Sequence, residues 1–588
     1  MNGILAKKPY WILPVFVALA IYFPVINHGF VWDDHQFFEG NGFFAKANIV
    51  ELFFSKIPLW ENIFFYRPLT QIFFFVQFII GKGDPSVFHV VSLLVFLANA
   101  MLVMAIVARA KQARVNAPSG EFYWIYVLLA GVLYVVHPAM AEVVGWISSQ
   151  FDLQMTFWIL LIIFVSMIEK HYLLSGLCSM VLYFFACSSK EMSALFPIVF
   201  IIFHYFVRCV FGAENTNMPR LIREKTPELL GFFLGGCIYL VLRTTCVGVG
   251  SVKISHGDFV DYFFDVMRAL FWYTKLSILP FYGMGMHFKA VGQYNDQLYA
   301  IGGGAIFIGT LVALRCYKPL GLMGISFIIS LAPALLTVNA GYSVTFVSDR
   351  YLSYPLSLLI IQACIWMGSL SQQINMTRFF SRFLVVVSLI LLVEMAIYSS
   401  QLSRIWKSDL AIWRHTLEVS PDVSYARSQV VAAYVEMGNC EKAEEVAGKS
   451  KTSTVTAMIA IARCNLEKNP QFALQQMEDL LAANGAIGEH DFYNVLTTLA
   501  IANSNLGHYE KAIEIYRDVL AAYPSQYKTH WSLALTYLHA CRESEARSEF
   551  ESGLSFVPQA ARAEWVQLYA KSSGDLAAAC SKKAEAKD

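Results

Sequence analysis

The sequence predicts an all-α protein in two parts, a polytopic transmembrane helical bundle over 1–400 and an α-solenoid over 401–588. Three observations predict this. The 588 residues are 57% hydrophobic and only 15% charged, against roughly 45–50% and about 25% in soluble domains. Nearly all of the excess lies before residue 400, where apolar runs of 17 or more residues recur, about the length that crosses a bilayer. Beyond residue 400 the chain turns amphipathic, and small and aromatic residues recur with a period of 34.

In chain order, about 11 spans are predicted, at 9–29, 85–108, 122–137, 152–168, 172–188, 191–210, 229–247, 298–315, 319–338, 351–370 and 382–400. Lys7 and Lys8 before the run 10–26 resemble a signal peptide. The run is long and lacks a small-x-small cleavage site, so an uncleaved first helix is expected. Two apolar stretches, 68–80 and 259–285, are short or interrupted by Arg268 and Lys275, and are expected to lie in the interface or dip partly in. Cytoplasmic connections then carry Arg109, Lys111 and Arg114; Lys170; Arg208, Arg220, Arg223 and Lys225; Arg315 and Lys318; Arg378 and Arg382. The outer loops 138–151 and 339–349 contain no Lys or Arg, the bias that positive-inside orientation requires.

In the second part, 493–526 holds Leu499, Gly507, Tyr509, Ala512, Tyr516 and Pro524, and 527–560 holds Leu533, Tyr537, Ala546, Phe550 and Pro558. Gly438 with Ala443, Ala473 with Met477, and Trp413 with Pro421 mark weaker copies. Small residues at these offsets let paired helices approach and stack, the tetratricopeptide (TPR) pattern. Such arrays take a protein or peptide partner, or serve as spacers or dimer surfaces. A net charge of +1 leaves no nucleic-acid footprint. The 11 cysteines show no CxxC spacing, so neither a disulfide framework nor a zinc site is expected.

The topology gathers five stretches on the outer face: "GFVWDDHQFFEG" (29–40), "HPAMAEVVGW" (137–146), "SSKEMS" (188–193), "VSDRYLSYP" (347–355) and the C-terminal part. Asp33 and Asp34 alone would read as a polar helix end. Beside them stand His137, Glu142, Lys190, Glu191, Asp349 and Arg350, and ionisable groups at a membrane face are functional candidates. Glu142 and Trp146 are four apart and would share a helix face, a carboxylate for sugar hydroxyls beside an indole for a C–H face. Pro138 and Trp146 also fit a helix start with an interfacial anchor. Lys190 reads as an anion ligand or as part of a tight turn, and Glu191 as partly a capping signature. Arg350, beside Tyr351, could snorkel or bind phosphate bidentately, and Arg67 and Arg243 are further candidates for that role. Carboxylates, cations and aromatics against an apolar wall suit a substrate with a lipid tail, a phosphate and a sugar head. No nucleotide-binding glycine-rich loop and no HExxH is present, which leaves an energy-coupled pump or a membrane zinc protease unsupported.

The order "FVWDD", "YRPL", "HPAMAEVVGW…QFDL", "SSKEMSALFP", "DRYLSYP" and repeats resembles the transmembrane-and-TPR O-mannosyltransferases (TMTC-like proteins), within the GT-C class of membrane glycosyltransferases. The resemblance runs almost end to end. It implies a GT-C bundle, a polyprenyl (pyro)phosphate sugar donor, a hydroxyl acceptor and a first-loop acid as base, sometimes with a divalent metal (Mg or Mn). Asp34 is then expected as base with Asp33 supporting it, and Asp33, Asp34 and Glu142 as ligands if a metal is used. His137 and Glu142 match the HPxxxE motif, Lys190 and Glu191 the SKE motif, Arg350 and Tyr351 the RYLY-like motif. Gln150 and Ser353 depart from the family pattern, so mannose is not implied. A non-enzymatic membrane scaffold and a glycan-to-lipid transferase are the alternatives. The one N-x-S/T sequon, Asn375-Met-Thr377, falls in a predicted cytoplasmic loop, which favours a bacterial inner membrane with the repeats in the periplasm over the endoplasmic reticulum.

Overall fold

The computed structural model describes residues 9–40, 44, 48–54, 65–110, 123–211, 217–247, 259–281, 285–288, 297–338, 345–370, 378–448, 454–483, 487–557 and 561–585. Lys7, Lys8, Lys111, Arg114, the sequon and Pro558 lie outside them. The bundle begins with α1 (Leu13–Tyr22) and a 3-10 extension Phe23–Asn27, where Pro24 interrupts α-helical hydrogen bonding. A π-helical turn, His35–Gly40, follows the acidic pair. Then come α2 (Ile49–Phe54), α3 (Pro68–Gly81), α4 (Pro85–Ala110), α5 (Tyr123–Val136), the short α6 (Met140–Gly145), α7 (Gln150–Ile168), α8 (Tyr172–Ser189), α9 (Phe196–Phe211), α10 (Met218–Glu224), α11 (Thr226–Val247) and α12 (Phe259–Ile278). Strand β1 (Met286–Phe288), α13 (Gln297–Cys316), α14 (Lys318–Leu336), strand β2 (Thr345–Ser348), α15 (Ser353–Leu370) and α16 (Arg378–Ile405) complete it.

Among the described residues nine helices are long and apolar enough to cross a bilayer. The other two expected spans, 9–29 and 122–137, are the shorter apolar helices Leu13–Asn27 and Tyr123–Val136. Fourteen residues rise only about 21 Å as an α-helix. Apolar side chains cover the outside: Phe233, Leu234 and Val241 of α11 and Leu389 and Ile390 of α16 are all at least half exposed. One departure from all-α is the antiparallel pair β1–β2, with Met286 opposite Ser348 and Phe288 opposite Thr345. Three- and four-residue strands leave no alternating run long enough to read in a sequence.

The C-terminal part is a succession of helices: α17 (Asp409–Val419), α18 (Ser424–Glu436), α19 (Cys440–Gly448), α20 (Val455–Cys464), α21 (Pro470–Ala482), α22 (Glu489–Asn505), α23 (Tyr509–Ala522), α24 (Tyr527–His539), α25 (Glu543–Leu554) and α26 (Arg562–Glu585). Each packs on its sequence neighbours. Ala443, Ala473, Ala512 and Ala546 are fully buried at the corresponding place in α19, α21, α23 and α25, where a larger side chain would hold the partner helix away. The turn after α22 uses Gly507 at φ 82, and 34 residues on Cys541 takes the same left-handed turn at φ 60. A disulfide joins Cys440 to Cys464, with Cα atoms 5.7 Å apart, and Cys541 is disulfide-bonded too. The expectation of no disulfide framework is therefore corrected. Folding brings the start of α19 to the end of α20, a proximity that a separation of 24 residues does not advertise.

Candidate active site

Two apolar clusters fix the acidic loop before its carboxylates are placed. Phe30, Phe37 and Phe38 are buried with Phe74 and Phe78 of α3, Phe88 of α4 and Phe151 of α7. Val31 is buried with Trp146, Trp406 and Trp413. Between these anchors Trp32 has φ 56, a backbone that costs a non-glycine residue on the order of 1 kcal/mol.

The turn gives the two aspartates different surroundings. Asp34 is 1% exposed. Its Oδ1 accepts from the Ser148 amide (2.9 Å) and hydroxyl, and its Oδ2 from the Val31 amide (3.2 Å). Burial pushes its carboxyl up to about 7, against the Ser148 and Val31 donors. Asp33 is half-buried and has no hydrogen-bond donor among the described residues. Burial pushes it up to about 6, with the Arg350 charge pulling the other way.

Arg350 belongs to the first of three ion pairs that cluster with one another, and it is the one whose charge reaches Asp33. Arg350 donates to Glu142 Oε1 (2.7 Å) and to the Ser348 hydroxyl, which donates to the same Glu142 oxygen (2.9 Å). Lys190 Nζ reaches both Asp152 oxygens at 2.6 Å. Arg67 grips Glu191 through two parallel bonds of 2.9 and 2.6 Å. Tyr351 links them, with Lys190 Nζ 4.6 Å and the Arg350 guanidinium 4.8 Å from its ring centroid. Burial pulls the Lys190 ammonium below its ordinary value and pushes Glu142 up, Asp152 and Arg350 respectively opposing. Burial would also lower Arg67, but Glu191 outweighs it and holds the guanidinium charged.

Four sequence expectations need correction. Trp146 does not share a helix face with Glu142: α6 ends at Gly145, and Trp146 is extended (φ −107, ψ 122). Its indole is 3% exposed, stacked with Trp32 (5.1 Å) and Trp406 (5.4 Å) and overlain by Arg350 (4.8 Å), so no ring face is open to a sugar. His137 is a structural clasp: its Nδ1 accepts from the Ala139 amide (3.2 Å), leaving Nε2 to donate to the Ser277 carbonyl (3.3 Å), and burial lowers the ring to about 4. Glu191 caps nothing, its side chain being committed to Arg67. The metal set does not converge, because the oxygens of Asp34 and Glu142 are taken by Ser148, Val31, Ser348 and Arg350, leaving Asp33 alone. Accordingly, no group among the described residues could hold a metal ion.

Asp349 is buried near Glu142, accepting from the Gly285 amide at 2.7 Å across the ribbon. Arg243 lies beside the Tyr239 hydroxyl, which the Glu191 charge also reaches. Asp152, Ser148 and Ser348 also belong to the site. Asp152 lies in the "QFDL" stretch but was given no role, and Ser148 and Ser348 carry no distinguishing pattern. From the C-terminal part, Asp409 Oδ1 accepts from the Trp32 amide at 2.9 Å, across a separation of 377 residues.

The arrangement offers one open carboxylate beside clustered cations, at the end of an apolar bundle. Over 143 residues the chain is 29% identical to protein O-mannosyl-transferase Tmtc1 of Drosophila melanogaster, covering 23% of this chain and 16% of that protein. The chain resembles the transmembrane-and-TPR O-mannosyltransferases. No family model matches, and no solved structure does. The aligned portion is thus well under two thirds of the relative's length.

Proposed function

We propose that this chain is an integral membrane glycosyltransferase of GT-C type, transferring a sugar from a polyprenyl (pyro)phosphate to a hydroxyl acceptor, on protein, at the outer membrane face. The observation that carries the reading is Asp33: a half-buried carboxylate with no donor among the described residues, raised to about 6 and within reach of the Arg350 charge, Arg350 itself being clustered with the Lys190 and Arg67 pairs. A base of that pKa is mostly ionised at neutral pH yet still takes a proton readily. In this reading Asp33 accepts the proton of the acceptor hydroxyl as its oxygen attacks the anomeric carbon. The bond from that carbon to the phosphate oxygen breaks, and the phosphate leaves with the electron pair. Arg350, Lys190 and Arg67 stabilise the leaving charge, their own carboxylates keeping the unliganded cluster from self-repulsion. Asp34, expected from the resemblance to be the base, takes the supporting role instead, because its three donors tie the loop to Ser148 and Val31. No step is assigned to a metal.

The similarity to an O-mannosyl-transferase supports the reaction class. The paired Cys440–Cys464 and disulfide-bonded Cys541, beside seven free cysteines all before residue 400, support an oxidising outer compartment for the C-terminal part. That part is read as TPR repeats that present a protein acceptor. The test is mass spectrometry of outer-face glycoproteins in cells carrying Asp33→Asn at equal protein level. Loss of the glycan is expected; full retention overturns the catalytic reading and favours a scaffold.

A further inference from the structure

We propose that Asp409, at the start of the first C-terminal helix, is a positioning residue for Asp33, so that the C-terminal helices are part of the catalytic unit. The proposal rests on Asp33 being the base. Asp33 has no tether of its own among the described residues, so its direction is set by its neighbours in the chain: Asp34 is held by Ser148 and Val31, and the contacts of Trp32 and His35 end on Asp409. One residue before it, the Trp32 amide donates to Asp409 Oδ1 at 2.9 Å. Two residues after it, His35 Nε2 meets Asp409 Oδ2 at 2.6 Å while Nδ1 meets Glu39 at 2.6 Å. Two further contacts come from the same C-terminal helices: Trp32 Nε1 donates to the Tyr425 hydroxyl (3.3 Å), and Trp413 packs edge-on against the Trp32 ring at 5.5 Å.

The strained backbone at Trp32 makes these contacts matter. A non-glycine residue stays left-handed only where its surroundings over-determine it. Asp409 supplies the amide acceptor that does so, from the first turn of α17, where the helix N-terminus favours a carboxylate. Without it the Trp32 amide loses its partner, the turn relaxes, and Asp33 swings with it. A displacement of about 1 Å in a reacting group can cost about 100-fold in rate.

The experiment compares the full-length protein with Asp409→Ala, Asp409→Asn and Asp33→Asn, reading hydrogen exchange of 30–40 in detergent micelles and glycan occupancy of outer-face proteins at equal protein level. In Asp409→Ala, faster exchange confined to 30–40 and a 10- to 100-fold loss of transfer are expected. Asp409→Asn keeps an oxygen for the Trp32 amide and should recover transfer to within about threefold. Unchanged exchange and transfer in Asp409→Ala overturn the proposal, as does loss in Asp409→Asn equal to that in Asp409→Ala. Should Asp409→Ala fail to fold, Tyr425→Phe, which removes the hydroxyl that accepts from Trp32 Nε1, must raise exchange at 30–40 or the clamp fails. Retained transfer in Asp33→Asn would instead sink the base assignment, while the exchange result still decides whether Asp409 holds the loop.

Discussion

Asp33 and Asp34 are adjacent and chemically identical, yet the fold separates them by giving three donors to Asp34 and, among the described residues, none to Asp33. Their pH behaviour follows. Asp33 acts as a base only when ionised, so transfer should rise with one-proton dependence as pH increases through about 6, and fall below it. His35 runs the opposite way. Burial alone would lower its pKa, but Asp409 and Glu39 raise it from 6.5 to about 10. A raised histidine stabilises the fold fully below its ordinary value, and that contribution is lost as pH climbs through about 10. A rate–pH profile that levels off above about 7 is the expected result, with the melting temperature declining progressively between about 6.5 and about 10; a profile insensitive to acid would remove Asp33 as base. Glu142→Gln should be costly for a different reason. It leaves the Arg350 guanidinium, 12% exposed, without its carboxylate, a loss on the order of 3 kcal/mol for a buried pair, readable as a lower melting temperature in detergent.

Helix contacts show what single positions must be. In "GFFLG", Gly231 and Gly235 lie one turn apart on α11, and a Cβ on either would sit 2.3 Å from the Gly176 carbonyl oxygen or 2.4 Å from that of Met180 on α8. This close small-residue approach is what holds helices together where lipid competes with apolar side chains. Gly235→Leu should therefore lower folded yield and melting temperature, whereas Gly304→Leu, with nothing within 4 Å of its Cβ, should leave both unchanged. Helix positions were legible in the apolar runs, and the repeat in its period of 34. Trp146 was misjudged because a four-residue spacing implies a shared face only while the helix continues, and α6 stops one residue short of it.

Across the whole molecule, the C-terminal helices close over the end of the bundle that carries the acidic loop. Were this part on the outer face, maleimide added to intact cells should fail to label Cys440 and Cys464 until a reductant is added, and labelling without reductant would contradict the pairing. Removing the bridge as Cys440→Ser/Cys464→Ser should cost about 2–4 kcal/mol, seen as earlier melting. The sequence by itself determined the helical character and most of the long apolar helices, because hydrophobic length and periodicity are local properties of a chain. Only the tertiary structure decided that Asp33 is open and Asp34 tied, that Arg67, Lys190 and Arg350 each have a carboxylate, and that Trp146 is enclosed by other indoles. It alone brought Asp409 to Trp32. Those are choices among long-range partners, and hydrogen bonds between residues hundreds of positions apart leave no spacing to read.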